Sequence, residues 1–317
     1  MNGRPIKIID CSGNPELVSE ICSFKGLERA WAKTNISSFS DGEVSIEILE
    51  NVRGTDIYAI QSAGALVNTS IMQLLLILDA LKRSNCWRVT AVIPYLPYAR
   101  QDAKLKPRVP ISARAVADLI QAMGVDRILT MDLHSNQIQG YFSCAIDNLF
   151  SSIIFLEHMM EHLEPGTVIV SPDVGGATRA LHYAKRLELE AAIIHKTRIA
   201  ANKIGRMVLL GHVRDQTSVL VDDMADTCGT LCSAAEVLRD AGSKKIIAYV
   251  GHGIFSGNAF EKIENSVFDK VYVTDSIAQD PNRPAKIEVI SCAALFAKAI
   301  TNIHKETSVS ELFDISR

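Results

Sequence analysis

Long apolar runs are missing from this sequence. The longest, Cys292–Ala297, holds six residues, against the roughly 20 that a membrane-crossing helix needs. The N-terminal Met1-Asn2-Gly3-Arg4-Pro5 lacks the apolar core of a secretory signal, so the expectation is a soluble, cytoplasmic chain. An excess of positive charge is missing too. Thirty-three Lys and Arg face 36 Asp and Glu, a net charge of −3, which excludes a general nucleic-acid binder driven by bulk charge and leaves only local basic patches. Metal-ligand spacing is sparse. Cys11, Cys22, Cys86, Cys144, Cys228, Cys232 and Cys292 form an odd, scattered set. Cys228 and Cys232 stand four apart, but no second pair or nearby His completes a zinc set. Reduced, buried thiols are the expectation.

What is present is length and alternation. A chain of 317 residues is about two domains' worth. Strand-length apolar runs alternate with helix-period segments nearly throughout, which is the α/β pattern. The first half reads as strands over Ile6–Ile9, Val44–Ile48, Ile57–Gln61, Val89–Ile93 and Arg127–Met131; the second as strands over Val168–Ser171, Ala192–His195, Ser218–Val221, Ile246–Val250 and Lys270–Val273. Helices are predicted over Thr69–Arg83, Ser112–Gln121, Gly176–Leu187, Leu231–Ala241 and Phe260–Asn265. Runs apolar on both faces, such as Ser218–Val221, imply mostly parallel sheets with helices on both sides. Two βα series of similar length meet near Asp147–Ser152, giving domains of 1–150 and 151–303, with a tail of 304–317.

The segment Ser218-Val-Leu-Val-Asp222-Asp223-Met-Ala-Asp226-Thr227-Cys228-Gly229-Thr230 concentrates the chemistry. An apolar strand runs into paired acids, and a loop of small and hydroxyl residues then opens a helix. Backbone N–H groups at a helix N-terminus cradle phosphate. Asp222 and Asp223 would repel a phosphate, and suit sugar hydroxyls or a bridging magnesium ion. Together they describe a clasp for ribose 5-phosphate. The plainer alternative is an acidic strand end with an Asp or Thr helix cap.

At these residues the chain resembles proteins carrying the phosphoribosyl-diphosphate motif: type I phosphoribosyltransferases and ribose-phosphate diphosphokinases (PRPP synthetases). Phe39-Ser-Asp41-Gly-Glu43, Tyr98-Ala-Arg100-Gln101-Asp102, Met131-Asp-Leu-His134, Gln137-Ile-Gln139-Gly140, Ser171-Pro-Asp173 with Gly175-Gly176, and His195-Lys196-Thr-Arg198 all look like the diphosphokinase pattern. The likeness runs from about Phe39 to Phe313 and is closest to the phosphate-regulated class. It implies two phosphoribosyltransferase-like α/β domains and transfer of the diphosphoryl group of ATP to the 1-hydroxyl of ribose 5-phosphate. It also implies a Mg2+ cofactor, a 304–317 tail that returns to the N-terminal domain, and hexamers built from dimers.

By the same resemblance, the Phe39–Glu43 loop reaches a neighbouring subunit, where Phe39 stacks on adenine while Asp41 and Glu43 take its amino group, and Arg100, Gln101 and Asp102 contact ATP. His134 and Asp173 resemble ligands of the ATP-bound magnesium. The basic stretch Lys104, Lys106 and Arg108 resembles a catalytic loop that closes over the triphosphate, met by Lys196 and Arg198. Asp222, Asp223, Asp226, Thr227, Cys228, Gly229 and Thr230 would hold ribose 5-phosphate. Arg53, Gln139, Ser308, Ser310 and Phe313 match an allosteric phosphate or ADP pocket, although Asn51, Asn85 and Asn136 stand where serine is common, and Leu105 and Pro107 depart from the usual loop. Two other readings compete: a non-catalytic associated subunit that regulates an active partner, and a phosphoribosyltransferase that consumes PRPP. The second domain and the Phe39, Arg100 and His134 features weigh against the transferase. The catalytic loop without insertion, with Lys196, Arg198, Asp222 and Asp223 all present, weighs against the subunit.

Overall fold

The computed structural model describes residues 3–64, 66–200 and 203–313, the side chains of 196–206 and 313 excepted. Two compact units divide the chain. The first holds residues up to Phe150, Ser276–Ala278 and those from Ser291 onward; the second holds Ser151–Asp275 and Gln279–Ile290.

In the first unit, β1 (Ile6–Asp10), α1 (Pro15–Ser23), β2 (Trp31–Ala32), β3 (Thr34–Ser38), β4 (Val44–Ile48), β5 (Asp56–Ile60), α2 (Val67–Arg83), β6 (Arg88–Ile93), α3 (Ser112–Ala122), β7 (Arg127–Met131) and β8 (Ala145–Leu149) follow in order. Six strands form a parallel sheet in the order β2-β1-β5-β6-β7-β8. All five residues of β5 are buried, as a parallel strand covered on both faces requires. Ile57 and Ala59 join Leu74, Leu78 and Leu81 of α2 and Val116 and Ile120 of α3 in one core. Asn14 accepts the Leu17 N–H at 3.2 Å to start α1, with Pro15 in the first turn. Val44–Ile48 does not belong to the main sheet: β3 and β4 form a separate antiparallel ribbon.

The second unit contains α4 (Ser152–His162), β9 (Thr167–Ser171), α5 (Ala177–Leu187), β10 (Glu190–Ala200), β11 (Lys203–Leu210), β12 (Thr217–Ala225), α6 (Gly229–Asp240), β13 (Lys245–Gly253), α7 (Ala259–Glu264), β14 (Lys270–Thr274) and β15 (Ile287–Ile290). Their order is β11-β10-β9-β12-β13-β14-β15, parallel except for β10 with β11. Leu220, Ala248, Val250 and Val271 pack with Leu231, Ala235 and Leu238 of α6 and Ile263 of α7. On the other face, Phe155 of α4 meets the Tyr249 ring edge-on at 5.3 Å. Two α/β sheets, each with helices on both sides, match the fold class expected.

The last helix, α8 (Ala293–His304), belongs to the first unit and packs on α1. The second domain therefore ends before residue 303, and the reason is a buried charge. Asp56 is 0% exposed and receives Arg88 through two bonds, at 2.8 and 2.6 Å. It also accepts from Tyr58 at 3.1 Å and faces His304 Nδ1 at 2.8 Å. Arg88 donates further to the Ile303 carbonyl at 3.0 Å. A buried carboxylate needs such partners; α8 supplies His304 to Asp56 and the Ile303 carbonyl to Arg88.

Candidate active site

β12 carries the paired acids. It runs on to Ala225, so Asp222 and Asp223 lie within the strand and not beyond it. Arg179, in the first turn of α5, bridges them through one nitrogen, 3.1 Å from Asp222 Oδ1 and 3.3 Å from Asp223 Oδ1. The Asp223 N–H also donates to Asp222 Oδ1, at 2.9 Å. Burial, then the Asp223 charge, holds the Asp222 carboxyl well above the usual carboxylate range, and Arg179 opposes that shift. Two acids sharing one bridging guanidinium suit hydroxyl donors or a hard divalent cation. Sequence reasoning missed Arg179, because a lone Arg on an amphipathic helix reads as a solvated charge.

After Ala225 the chain turns and α6 begins at Gly229. Cys228 takes the N-cap position with φ 58°, and no side chain caps the helix. The Asp or Thr cap weighed above is thus not what the acids and hydroxyls do. The first amides of a 12-residue helix face the turn with the positive end of its dipole, an arrangement that takes an anion. Burial pushes the Cys228 thiol up to about 12, so it packs as a neutral group.

Asp173 sits in the turn between β9 and α5. Its Oδ1 accepts the Gly176 N–H at 2.9 Å, and Ser171 Oγ donates to its carbonyl at 2.6 Å. A Cβ at Gly176 would lie 2.8 Å from Ser171 Oγ, which explains the glycine. Lys196 and Arg198 were expected after the strand Ala192–His195; β10 instead extends through them to Ala200, pairing with β11 through register shifts on either side of Arg198. Their side chains lie outside the described residues.

In the first unit, the β3–β4 turn is closed by Phe39 N–H to Glu43 O at 2.8 Å, Gly42 N–H to Phe39 O at 3.0 Å and Glu43 N–H to Asp41 Oδ1 at 3.0 Å. Gly42 has φ 92°, which favours glycine. The turn projects the Phe39 ring, 59% exposed. Beyond β6, Arg100 and Gln101 are exposed and Asp102 half-buried. Gln101 Oε1 accepts from Ser112 Oγ at 2.5 Å, and the Asp102 carbonyl takes the Tyr141 hydroxyl, anchoring the segment to the start of α3 and to the turn Asn136–Tyr141. Between them lies an exposed loop carrying Lys104, Lys106 and Arg108, with Leu105 86% exposed.

Beyond β7, Asp132 has φ 43°. Asp132 N–H bonds Leu149 O at 2.9 Å and Leu133 N–H bonds Asn148 Oδ1 at 3.2 Å, which sets exposed His134 at the strand end. His134 and Asp173 belong to different units. Among the described residues no three His, Cys, Asp or Glu side chains gather as a metal site.

The regulatory candidates are only partly brought together. Arg53 N–H bonds Asn51 Oδ1 at 3.1 Å, and the neighbouring Gly54 N–H bonds Asn85 O at 3.0 Å, so Asn51, Arg53 and Asn85 share one corner. Gln139 bonds the Asn136 carbonyl at 3.2 Å within its own turn. Ser308 O accepts from Asn302 at 2.8 Å, and Ser310 is exposed. The Phe313 side chain lies outside the described residues.

Known proteins resemble the chain along its whole length. The profile of the N-terminal domain of ribose phosphate pyrophosphokinase matches residues 6–124, and that of the phosphoribosyl synthetase-associated domain matches residues 197–314. A ribose-phosphate pyrophosphokinase of Nitrosomonas europaea is 45% identical over 316 residues, 99% of either chain. Ribose-phosphate pyrophosphokinase 2 of Schizosaccharomyces pombe is 44% identical, over 100% of this chain and 99% of its own. The crystal structure of phosphoribosylpyrophosphate synthetase from Mycobacterium smegmatis superposes with a TM-score of 0.90 at 35% identity, covering 96% of this chain and 100% of that one. The chain belongs to the ribose-phosphate pyrophosphokinase family.

Proposed function

We propose that this chain transfers the β,γ-diphosphoryl group of ATP to the 1-hydroxyl of ribose 5-phosphate, giving PRPP and AMP. The observation that carries the reading is the β12–α6 turn: paired carboxylates bridged by Arg179 on one side, an uncapped helix N-terminus on the other. Asp222 and Asp223 accept the ribose hydroxyls, and the amides from Asp226 to Thr230 take the 5-phosphate. The 1-hydroxyl oxygen bonds to the β-phosphorus, the bond from that phosphorus to the α,β-bridging oxygen breaks, and AMP leaves with that oxygen. The hydroxyl proton passes to solvent.

Phe39, Asp41 and Glu43 hold the adenine of ATP bound to a neighbouring subunit, with Arg100, Gln101 and Asp102 on the chain's own ATP. Lys104, Lys106 and Arg108, with Lys196 and Arg198, neutralise the charge that grows on the leaving AMP oxygen; positioning and electrostatics carry most of such a transfer. Carboxylate oxygens suit magnesium. Asp173 would hold the ion that accompanies ATP, with His134 the less suited donor, and the Asp222–Asp223 pair, its Asp222 carboxyl raised by burial and then by the Asp223 charge, offers hard oxygens at the ribose. Bound there, the ion would neutralise phosphate charge.

Arg53, Gln139, Ser308, Ser310 and Phe313 would form a phosphate or ADP effector pocket. Hexamers built from dimers and a cytoplasmic setting belong to the same reading. No helix among the described residues is long and apolar enough to cross a membrane. The test is a coupled assay of the purified chain that follows AMP and PRPP together. Equal appearance of both supports the reading, and ligand binding without either product points to a regulatory subunit.

A further inference from the structure

The turn assigned to the 5-phosphate has a back wall. Three successive carbonyls are engaged by one segment of the chain. Ala225 O accepts the Ile254 N–H at 2.8 Å and the Phe255 N–H at 3.0 Å, Asp226 O accepts the Ser256 N–H at 3.1 Å, and Thr227 O accepts the Lys262 ammonium at 2.9 Å. The Asp226 carboxylate receives the Ser256 hydroxyl as well. In a planar trans peptide, each C=O points opposite to the N–H that follows it. Holding the carbonyls of residues 225, 226 and 227 against residues 254–262 therefore aims the N–H groups of Asp226, Thr227 and Cys228 the other way, into the turn that opens α6.

The wall is itself fixed. Phe255, with φ 50°, folds its ring so close over Gly253 that a Cβ there would lie 2.5 Å from Cε2. It meets the Phe260 ring at 5.4 Å, and Gln279 donates to the Gly253 carbonyl at 2.9 Å. Lys262 projects from α7, and its own carbonyl faces Cys232 Sγ at 3.8 Å. Its ammonium opposes the burial that raises the Cys228 and Cys232 thiols, so its charge is felt at the start of α6.

We infer that Ser256 and Lys262 are positioning residues for ribose 5-phosphate: they hold the Ala225–Cys228 backbone with its amides turned toward the phosphate, and the Lys262 charge adds positive potential behind them. The inference rests on the proposed seat of the 5-phosphate at the start of α6. It assigns Asp226 to shaping the turn through Ser256, leaving the ribose hydroxyls to Asp222 and Asp223.

The test uses Lys262→Met, Lys262→Arg and Ser256→Ala in the full chain. KM is measured for both substrates, and ribose 5-phosphate is titrated by calorimetry. Lys262→Met is expected to raise KM and Kd for ribose 5-phosphate by about tenfold, the usual effect of losing one charge-assisted hydrogen bond, with KM for ATP and the thermal midpoint unchanged. Lys262→Arg, which keeps the charge and the donor, restores ribose 5-phosphate binding to within about threefold of wild type. Ser256→Ala removes the hydroxyl from the exposed Asp226 carboxylate but keeps the backbone bond to the Asp226 carbonyl, so it raises the same Kd by only about threefold, and it carries the test if Lys262→Met fails to fold. Wild-type affinity in both Lys262→Met and Ser256→Ala, or equal losses toward ribose 5-phosphate and ATP, would overturn the inference while leaving the phosphate seat standing. A wild-type chain that makes PRPP while a phosphate-blocking substitution at Gly229 leaves ribose 5-phosphate binding intact would overturn the seat itself, and the inference with it.

Discussion

Replacing Arg179 by Met removes the cation that bridges Asp222 and Asp223, while keeping the length and apolar stem of the side chain. At 3.1 Å and an effective dielectric near 20, each contact is worth about 5 kcal/mol before screening and desolvation. The Arg179 and Asp222 side chains are 27% and 26% exposed, so solvent screens much of that. A net loss of about 2 kcal/mol is a reasonable discount, equivalent to roughly thirtyfold in affinity for ribose 5-phosphate.

The sign of the pH effect follows from the acids. Arg179 lowers an Asp222 carboxyl that burial and Asp223 already raise, so without it the pair holds its proton to still higher pH. KM for ribose 5-phosphate in Arg179→Met is therefore expected to be most affected at low pH and to recover partly as pH rises, with KM for ATP little changed. Arg179→Lys keeps the charge but not the planar fork, and should fall between the two. The assay is a steady-state titration of ribose 5-phosphate from pH 6.5 to 9 in both variants. An Arg179→Met enzyme with the wild-type KM at every pH would refute the electrostatic account of this site.

Asp222→Asn should abolish PRPP formation yet stabilise the ligand-free protein. A carboxyl raised by folding destabilises the folded state once pH exceeds its unfolded value near 4, and the deficit grows until pH passes the folded value; calorimetry should show the gain at pH 7 and none at pH 3. Arg88→Met leaves the buried Asp56 without its bidentate partner and should cost about 3 kcal/mol of stability, seen in urea unfolding; a loss under 1 kcal/mol would mean that Tyr58 and His304 suffice. Lys196→Ala is expected to lower kcat about 10²–10³-fold with an unchanged thermal midpoint; a value within threefold of wild type removes Lys196 from the chemistry. Chelation of divalent cations should stop product formation reversibly, and magnesium should restore it; activity that persists through exhaustive chelation contradicts the assigned cofactor.

The sequence showed the fold where burial is uniform. Ile57–Ile60 of β5, Val168–Val170 of β9 and Val219–Val221 of β12 are buried runs, apolar on both faces, and such runs declare themselves without their partners. β8 did not, because Asp147 and Asn148 interrupt it, and their role emerges only in three dimensions. Asp147 pairs with Arg127 on the neighbouring strand, and Asn148 holds the Leu133 amide. α8 was assigned to the wrong domain for a similar reason. The groups that anchor it, Asp56 and His304, are 248 residues apart, and no local pattern reveals a buried ion cluster. At the candidate site, the Asp222–Thr230 motif was legible because strand, acids and helix start are contiguous. Arg179, Ser256 and Lys262 were not, since each reaches the motif from another element. The first looks like a surface charge and the other two like an ordinary turn and helix.

The central claim is that one chain both binds ribose 5-phosphate at the start of α6 and transfers a diphosphoryl group to it. The most direct measurement incubates the purified chain with magnesium, ribose 5-phosphate and ATP labelled at the β-phosphorus, and follows AMP and labelled PRPP together. The account predicts equal amounts of both, with the label in PRPP. Release of ADP with the β label retained on it, or of neither product from a chain that binds both substrates, would contradict it.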